Sequence, residues 1–100
     1  MIDFGAIVGF DWDDGNLQKS AEKHGVSPLE AEQVFVDPRL LILTDDDHSG
    51  DEIRYHAYGQ SAAGRLLLVS FTLRQSETMI RIISARNMSR RERQRYAEET

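Results

Sequence analysis

The chain's one hundred residues, with a net charge of −5 and 40% apolar content, suffice for one domain around a single modest core. The absence of cysteine excludes a disulfide framework and a thiolate metal site, and no run of about twenty apolar residues exists to cross a membrane as a helix. The N-terminal MIDFGAIVGFDWDD carries acids early and lacks a basic region, so it is not expected to be a signal peptide, and a cytosolic location fits best.

The charge is divided along the chain. Residues 1–64 hold four Lys or Arg against thirteen acids, a balance of −9, and residues 65–100 hold eight Arg against four acids, a balance of +4. Such a chain can present a basic patch to a polyanion despite its overall sign. Equally, the two halves can neutralise each other in the fold.

Residues 4–12, FGAIVGFDW, are apolar and bounded by acids, which allows a short first strand weakened by Gly5 and Gly9. Asp13 or Asp14 can then cap a helix to His24, ended by Gly25. Its apolar side is thin, formed by Leu17, Ala21 and His24. Ser27 and Glu30 make a capping box, Pro28 takes the first helical position, and Val26 can staple onto Ala31. Ala31, Val34 and Phe35 give this second, short helix its stripe, and Asp37-Pro38 ends it.

The period then becomes extended. LLILT at 40–44 reads as a buried strand, DDDHSGD as a loop, and EIRYHAYG alternates Ile53, Tyr55 and Ala57 against Arg54, His56 and Tyr58. RLLLVSFTLR at 65–74 is the most apolar strand. After the turn QSET, the last strand begins at Met79, and strict alternation puts Met79, Arg81, Ile83 and Ala85 on one face and Ile80, Ile82, Ser84 and Arg86 on the other. Ser89 and Glu92 form a capping box for a terminal helix, whose Arg90, Arg91, Arg93 and Arg95 precede Glu98 and Glu99. That order opposes the helix dipole. The expectation is a single α+β domain over 1–100: an antiparallel four-stranded sheet, a possible extra N-terminal strand, two N-terminal helices and one C-terminal helix. Short polar loops favour the antiparallel meander, because parallel neighbours need long crossovers.

Three groups of residues invite a chemical reading. The loop from Asp45 to Glu52 has the residue types of a hard-metal site but not the spacing of a calcium loop, so no metal is expected there. His24, His48 and His56 are nominal general acids or bases. His24 reads as structural, and His56 shares a polar strand face with Arg54 and Tyr58. No Ser-His-Asp arrangement, Walker loop or Gly-rich dinucleotide turn occurs. The third group, Arg54, Arg81, Arg86 and the terminal-helix arginines with Tyr96, has the strongest chemical character. A guanidinium fork holds two phosphate oxygens at once, although any one of these could simply pair with an acid or snorkel to water. Cleavage of RNA by its own 2′-hydroxyl needs a phosphate cradle, charge stabilisation, and a proton acceptor and donor. Arginines supply the first two, and Glu52, His56 and Tyr96 are the proton-transfer candidates, which the sequence leaves unordered. A basic sheet face with aromatics would also bind RNA without cutting it.

From Phe10 to Tyr96 the chain resembles the BrnT toxins of bacterial type II toxin–antitoxin systems. The likeness is carried by FDWDD at 10–14, KHGVSPLEAEQVF at 23–35, the DHS…E-x-R pattern from Asp47 to Arg54, and YGQS at 58–61. It continues in GRLLLVSFT at 64–72, RIISAR at 81–86 and SRRERQRY at 89–96. The resemblance implies a RelE-like fold and a metal-independent endoribonuclease, without cofactors, that arrests translation. It further implies a BrnA-type antitoxin that inhibits the toxin and joins it in an autorepressing complex, so that DNA is met only through the antitoxin. Lys23, His24, Glu52, Arg54, Arg81, Arg86, Arg91 and Tyr96 match the family pattern, which would make Lys23 and Arg91 RNA-binding residues. Asn16 stands where a Lys is usual and Ser20 where an Asn is usual, which supports the alternative of a weakened toxin serving as an antitoxin-binding module. A free-standing nucleic-acid-binding domain is disfavoured by the acidic first half.

Overall fold

The computed structural model describes residues 2–12 and 14–100, with the backbone alone for Asp14, Asn16 and Leu17. The predicted helix cap at Asp13 or Asp14, and the side chains of Asn16 and Leu17, therefore lie outside the described residues. Among those residues, five strands make one sheet: β1 (Gly9–Trp12), β2 (Leu41–Thr44), β3 (Tyr55–Gln60), β4 (Leu66–Arg74) and β5 (Met79–Asn87), in the order β1-β5-β4-β3-β2. Three α-helices accompany it, α1 (Asp14–His24), α2 (Pro28–Gln33) and α3 (Arg90–Glu99).

Strands β2 to β5 are the expected antiparallel meander. The sheet as a whole is nevertheless five-stranded and mixed, because the possible N-terminal strand forms and pairs in parallel with β5, Gly9 opposite Met79 and Asp11 opposite Arg81. A parallel pair requires a long connection. Between β1 and β5 the chain has both N-terminal helices and three strands to supply one. The first strand is shorter than the apolar run suggests, since Phe4–Ala6 forms a 3₁₀ turn capped by the Asp3 carboxylate.

Helix ends follow the local chemistry. Gly25, at φ +64°, closes α1 in the left-handed region, and the Gly25 and Val26 amides donate to the Ala21 and Ser20 carbonyls. Arg65 reaches across to the His24 and Gly25 carbonyls and pairs with Glu30 at 2.6 Å. Half of the first capping box forms: Ser27 Oγ accepts from the Glu30 amide, while the Glu30 carboxylate goes to Arg65 and to the Ser61 hydroxyl. The second box, Ser89 with Glu92, is complete.

One face of the sheet, here the inner face, carries Ala57, Leu67, Val69, Phe71, Ile80, Ile82 and Ala85, packed with Val26, Ala31 and Val34 into the main core. On the outer face Tyr58 and Leu68 pack with Met88 and Tyr96, so α3 covers one end of that face. At the α3 anchor, Tyr96 is 3% exposed and its hydroxyl donates to Asp37, which also accepts from the Gln60 and Arg39 amides.

Strict alternation fails in β5. Ser70 pairs with Ser84 but Phe71 pairs with Ile82, leaving Ile83 as an extra residue. This bulge reverses the parity of the strand beyond it. Arg81, opposite Thr72, and Arg86, opposite Leu68, consequently share the outer face instead of dividing between the two. Ala85 turns inward, and its amide donates to Ser20 Oγ at 3.1 Å in a buried hydrogen bond that also fastens α1 to β5.

Candidate active site

The part of the outer face that α3 leaves open holds a groove of about 380 Å³, lined by His48, Glu52, Arg54, Thr72, Arg74, Arg81 and Ile83 together with Gly50 and Asp51. The loop between β2 and β3 makes one wall and the ends of β4 and β5 the floor. Hydrogen bonds fix this loop. The Asp45 amide donates to the Arg54 carbonyl at 2.7 Å, the Ser49 hydroxyl donates to the Asp45 carbonyl, and Ser49 Oγ accepts from the Arg54 amide. Thr72 Oγ1 donates to the Ile53 carbonyl at 3.0 Å and ties the loop to β4.

Three guanidiniums meet in this groove. Arg74 pairs with Glu52 at 3.1 Å, and Arg81 lies 3.4 Å from Asp11, its partner across the parallel β1–β5 register. Arg54 has no ion pair among the described residues. The Nε–H groups of Arg74 and Arg81 are buried and have no hydrogen-bond acceptor among the described residues. For Arg81 the Asp11 carboxylate is near enough for charge attraction but outside hydrogen-bond geometry.

The acidic loop is organised around one carboxylate. Asp45 is 9% exposed and lies 2.9 Å from His48 Nδ1 and 3.1 Å from His56 Nε2. Burial alone would raise the Asp45 carboxyl, but the hydrogen bond from His48 and the two nearby imidazoles outweigh it and hold the group below the usual carboxylate range. Among the described residues no group of three or more His, Asp or Glu side chains is placed so that it could hold a metal ion.

Of the residues singled out from sequence, Glu52, Arg54 and Arg81 come together. His56 stands beside them on the same face but is occupied with Asp45. Arg86 and Tyr96 are drawn elsewhere. Arg86 holds Glu92 with both fork nitrogens, at 2.7 and 2.9 Å, and this contact pulls Glu92 down to about 2 against the opposing effect of burial. Tyr96, on the buried side of α3, donates a hydrogen bond to Asp37. Both are engaged in the same way: side chains that pattern alone offers to a ligand fasten the terminal helix in this structure. Lys23 and Arg91 are exposed, at the end of α1 and in the first turn of α3. Two groove residues are not chosen as site residues from sequence. His48 stands there only as one of three nominal acids or bases, although it lies within the DHS…E-x-R pattern. Arg74 could have been found from its period, since it sits two residues beyond Thr72 on the same strand face.

The family profile described as the BrnT ribonuclease toxin of type II toxin–antitoxin systems matches residues 12–92. The chain belongs to this family. A BrnT protein is thus a ribonuclease toxin, and the type II system to which it belongs implies an antitoxin partner. The 1.1 Å crystal structure of the Brucella abortus ribonuclease toxin BrnT is similar in fold, with a TM-score of 0.61 at 20% identity over 83% of this chain and 99% of that one. No curated protein matches the sequence. The span matched by the BrnT family contains all three groove arginines.

Proposed function

We propose that this BrnT chain is an endoribonuclease whose groove binds the scissile phosphate and cleaves RNA without a metal ion, arresting translation until an antitoxin of the BrnA type covers it. The observation that supports this most is the convergence of Arg54, Arg74 and Arg81 in one groove. Their positive charge does not depend on a proton gained or lost near neutrality, so it stabilises the extra negative charge that develops at phosphorus. The acceptor-less Nε–H groups of Arg74 and Arg81 would gain partners from phosphate oxygens, which favours an anion there over an apolar ligand. Glu52 lines the same groove and is the carboxylate placed to accept the 2′-hydroxyl proton. Lys23 and Arg91, both exposed, would extend the contact along the RNA backbone. Arg86, His56 and Tyr96 then act by holding α3 and Asp45 rather than at the phosphate.

The reading as an inactive, antitoxin-holding module draws on the unusual Asn16 and Ser20. Ser20 is accounted for structurally, because its hydroxyl satisfies the buried Ala85 amide. The test is expression of the chain alone in a bacterium, with growth and RNA ends as readouts, beside Arg54→Ala and Arg81→Ala. Arrest with fragments ending in 2′,3′-cyclic phosphate, lost in both variants, is the expected result. Intact RNA in arrested cells, or arrest that survives both substitutions, overturns the proposal.

A further inference from the structure

Nothing above assigns a donor for the second proton that RNA cleavage requires, and the acidic loop supplies one. We propose that His48, oriented by Asp45, is the general acid that protonates the leaving 5′-oxygen. The proposal rests on the ribonuclease reading.

Three observations carry it. His48 is the imidazole that lines the groove, and its side chain is 64% exposed, so a substrate can reach it. Its Nδ1 lies 3.1 and 2.9 Å from the two oxygens of Asp45. That contact leaves Nε2 on the far side of the ring as the nitrogen available to substrate, and it fixes which nitrogen does chemistry. Asp45 itself is immobilised from the other side, with His56 Nε2 of β3 at 3.1 Å and the Asp45 amide bonded to Arg54. A buried carboxylate behind an imidazole holds the ring's orientation and tautomer, as in the carboxylate–histidine pairs of other acid–base enzymes.

The step balances. Glu52 takes the 2′-hydroxyl proton, the 2′-oxygen forms a bond to phosphorus, and the bond from phosphorus to the 5′-oxygen breaks. His48 Nε2–H delivers its proton to that oxygen. The products are a 2′,3′-cyclic phosphate and a 5′-hydroxyl, and the pair is reset when the proton on Glu52 returns through water to His48. Asp45 is a positioning residue in this scheme. The charged groups that act on His48 are Asp45 and His56 behind the ring, and Glu52, Arg54 and Arg74 on the groove side, with Asp51 and Arg81 also lining the groove.

The test uses an oligoribonucleotide carrying one cleavage site mapped with the wild-type chain, and its analogue with sulfur in place of the 5′-bridging oxygen. A thiolate leaves without a proton, so the analogue does not need a general acid. His48→Ala is expected to slow cleavage of the oxygen substrate by about 10²- to 10⁴-fold and to come within about tenfold of wild type on the sulfur substrate. Asp45→Asn is expected to slow cleavage of the oxygen substrate far more than that of the sulfur substrate, because a misplaced His48 matters only where a proton must be delivered. A merely structural role for Asp45 would slow both substrates alike. An His48→Ala variant equally slow on both substrates, or unimpaired on the oxygen substrate, overturns the assignment. Arg81→Ala as active as wild type, with His48→Ala slow and rescued by sulfur, would instead overturn the phosphate-groove reading and leave His48 as the acid.

Discussion

Glu92→Gln should cost this protein measurable stability at neutral pH and remove part of its sensitivity to acid. Glu92 receives both fork nitrogens of Arg86 and the Ser89 amide, and its carboxyl falls from the ordinary 4.5 to about 2. At 1.36 kcal/mol per unit that depression corresponds to about 3 kcal/mol. Glu92 is 19% exposed but Arg86 is 40% exposed, so solvent screening reduces the expected figure to about 2 kcal/mol. Because the folded-state value lies below the unfolded one, the unfolded chain binds the proton first as pH falls. The stabilisation is therefore complete above about pH 5 and is lost progressively between about pH 5 and pH 2. Glutamine preserves the capping-box geometry, so the substitution isolates the charge. Urea unfolding followed by far-ultraviolet circular dichroism, at pH 7 and in steps to pH 2, measures the difference. Wild type and variant should differ by about 2 kcal/mol at pH 7 and converge towards pH 2. A difference that stays constant across that range would refute the reasoning, since the contact would then act through shape or packing and not through ionisation.

Three further substitutions probe the frame around the groove. Tyr96→Phe removes a buried hydrogen bond to Asp37, which keeps the Gln60 and Arg39 amides. It should cost about 1 kcal/mol in urea unfolding while cleavage of RNA by the folded fraction is unchanged. Ser20→Ala strands the Ala85 amide in the core, a loss of about 1–3 kcal/mol, which thermal unfolding would register. In Gly59→Ala the new methyl group would meet Val34 Cγ1 at 2.8 Å and the Val34 carbonyl at 3.0 Å. Val34 is fully buried and cannot yield, so about 1–3 kcal/mol of destabilisation is expected, again from urea unfolding.

The antiparallel meander and all three helices were legible because each is announced locally. Ser27-Pro28, Gly25 and the Ser89–Glu92 pair work within a single turn of chain, and β2 to β5 follow one another through short loops. The parallel β1–β5 pair was not legible, because its register joins residues some seventy positions apart, which no local signal announces. The bulge at Ile83 was hidden for a related reason. Ile82-Ile83-Ser84 satisfies alternation in either parity, and only the pairing of Ser70 with Ser84 and Phe71 with Ile82 shows where the extra residue falls. The roles of Arg86 and Tyr96 turned on partners, Glu92 and Asp37, that composition does not single out.

The divided charge of the chain gains a physical meaning from the same topology. Glu30 pairs with Arg65, Glu52 with Arg74, and Asp11 faces Arg81. Each pair joins the acidic first half to the basic second half, so neutralisation between halves is part of how the sheet closes. Yet neutralisation is incomplete where the groove lies. Arg54 has no ion pair among the described residues, and the Arg74 and Arg81 contacts leave their buried Nε–H groups without acceptors. The bulge turns the strand beyond it, so that Arg86 shares the outer face with Arg81 and can anchor α3 through Glu92. Were Ile83 accommodated in a regular strand without the bulge, Arg86 would point into the core with Ile80 and Ile82, and the helix that bounds the open part of the face would lose its tether. Deleting Ile83 would leave Ile80, Ile82 and Ala85 facing in and Arg81, Ser84 and Arg86 facing out in a plain alternation, so the Arg86–Glu92 tether should persist, whereas Arg86→Ala should loosen α3 and leave the three groove arginines in place.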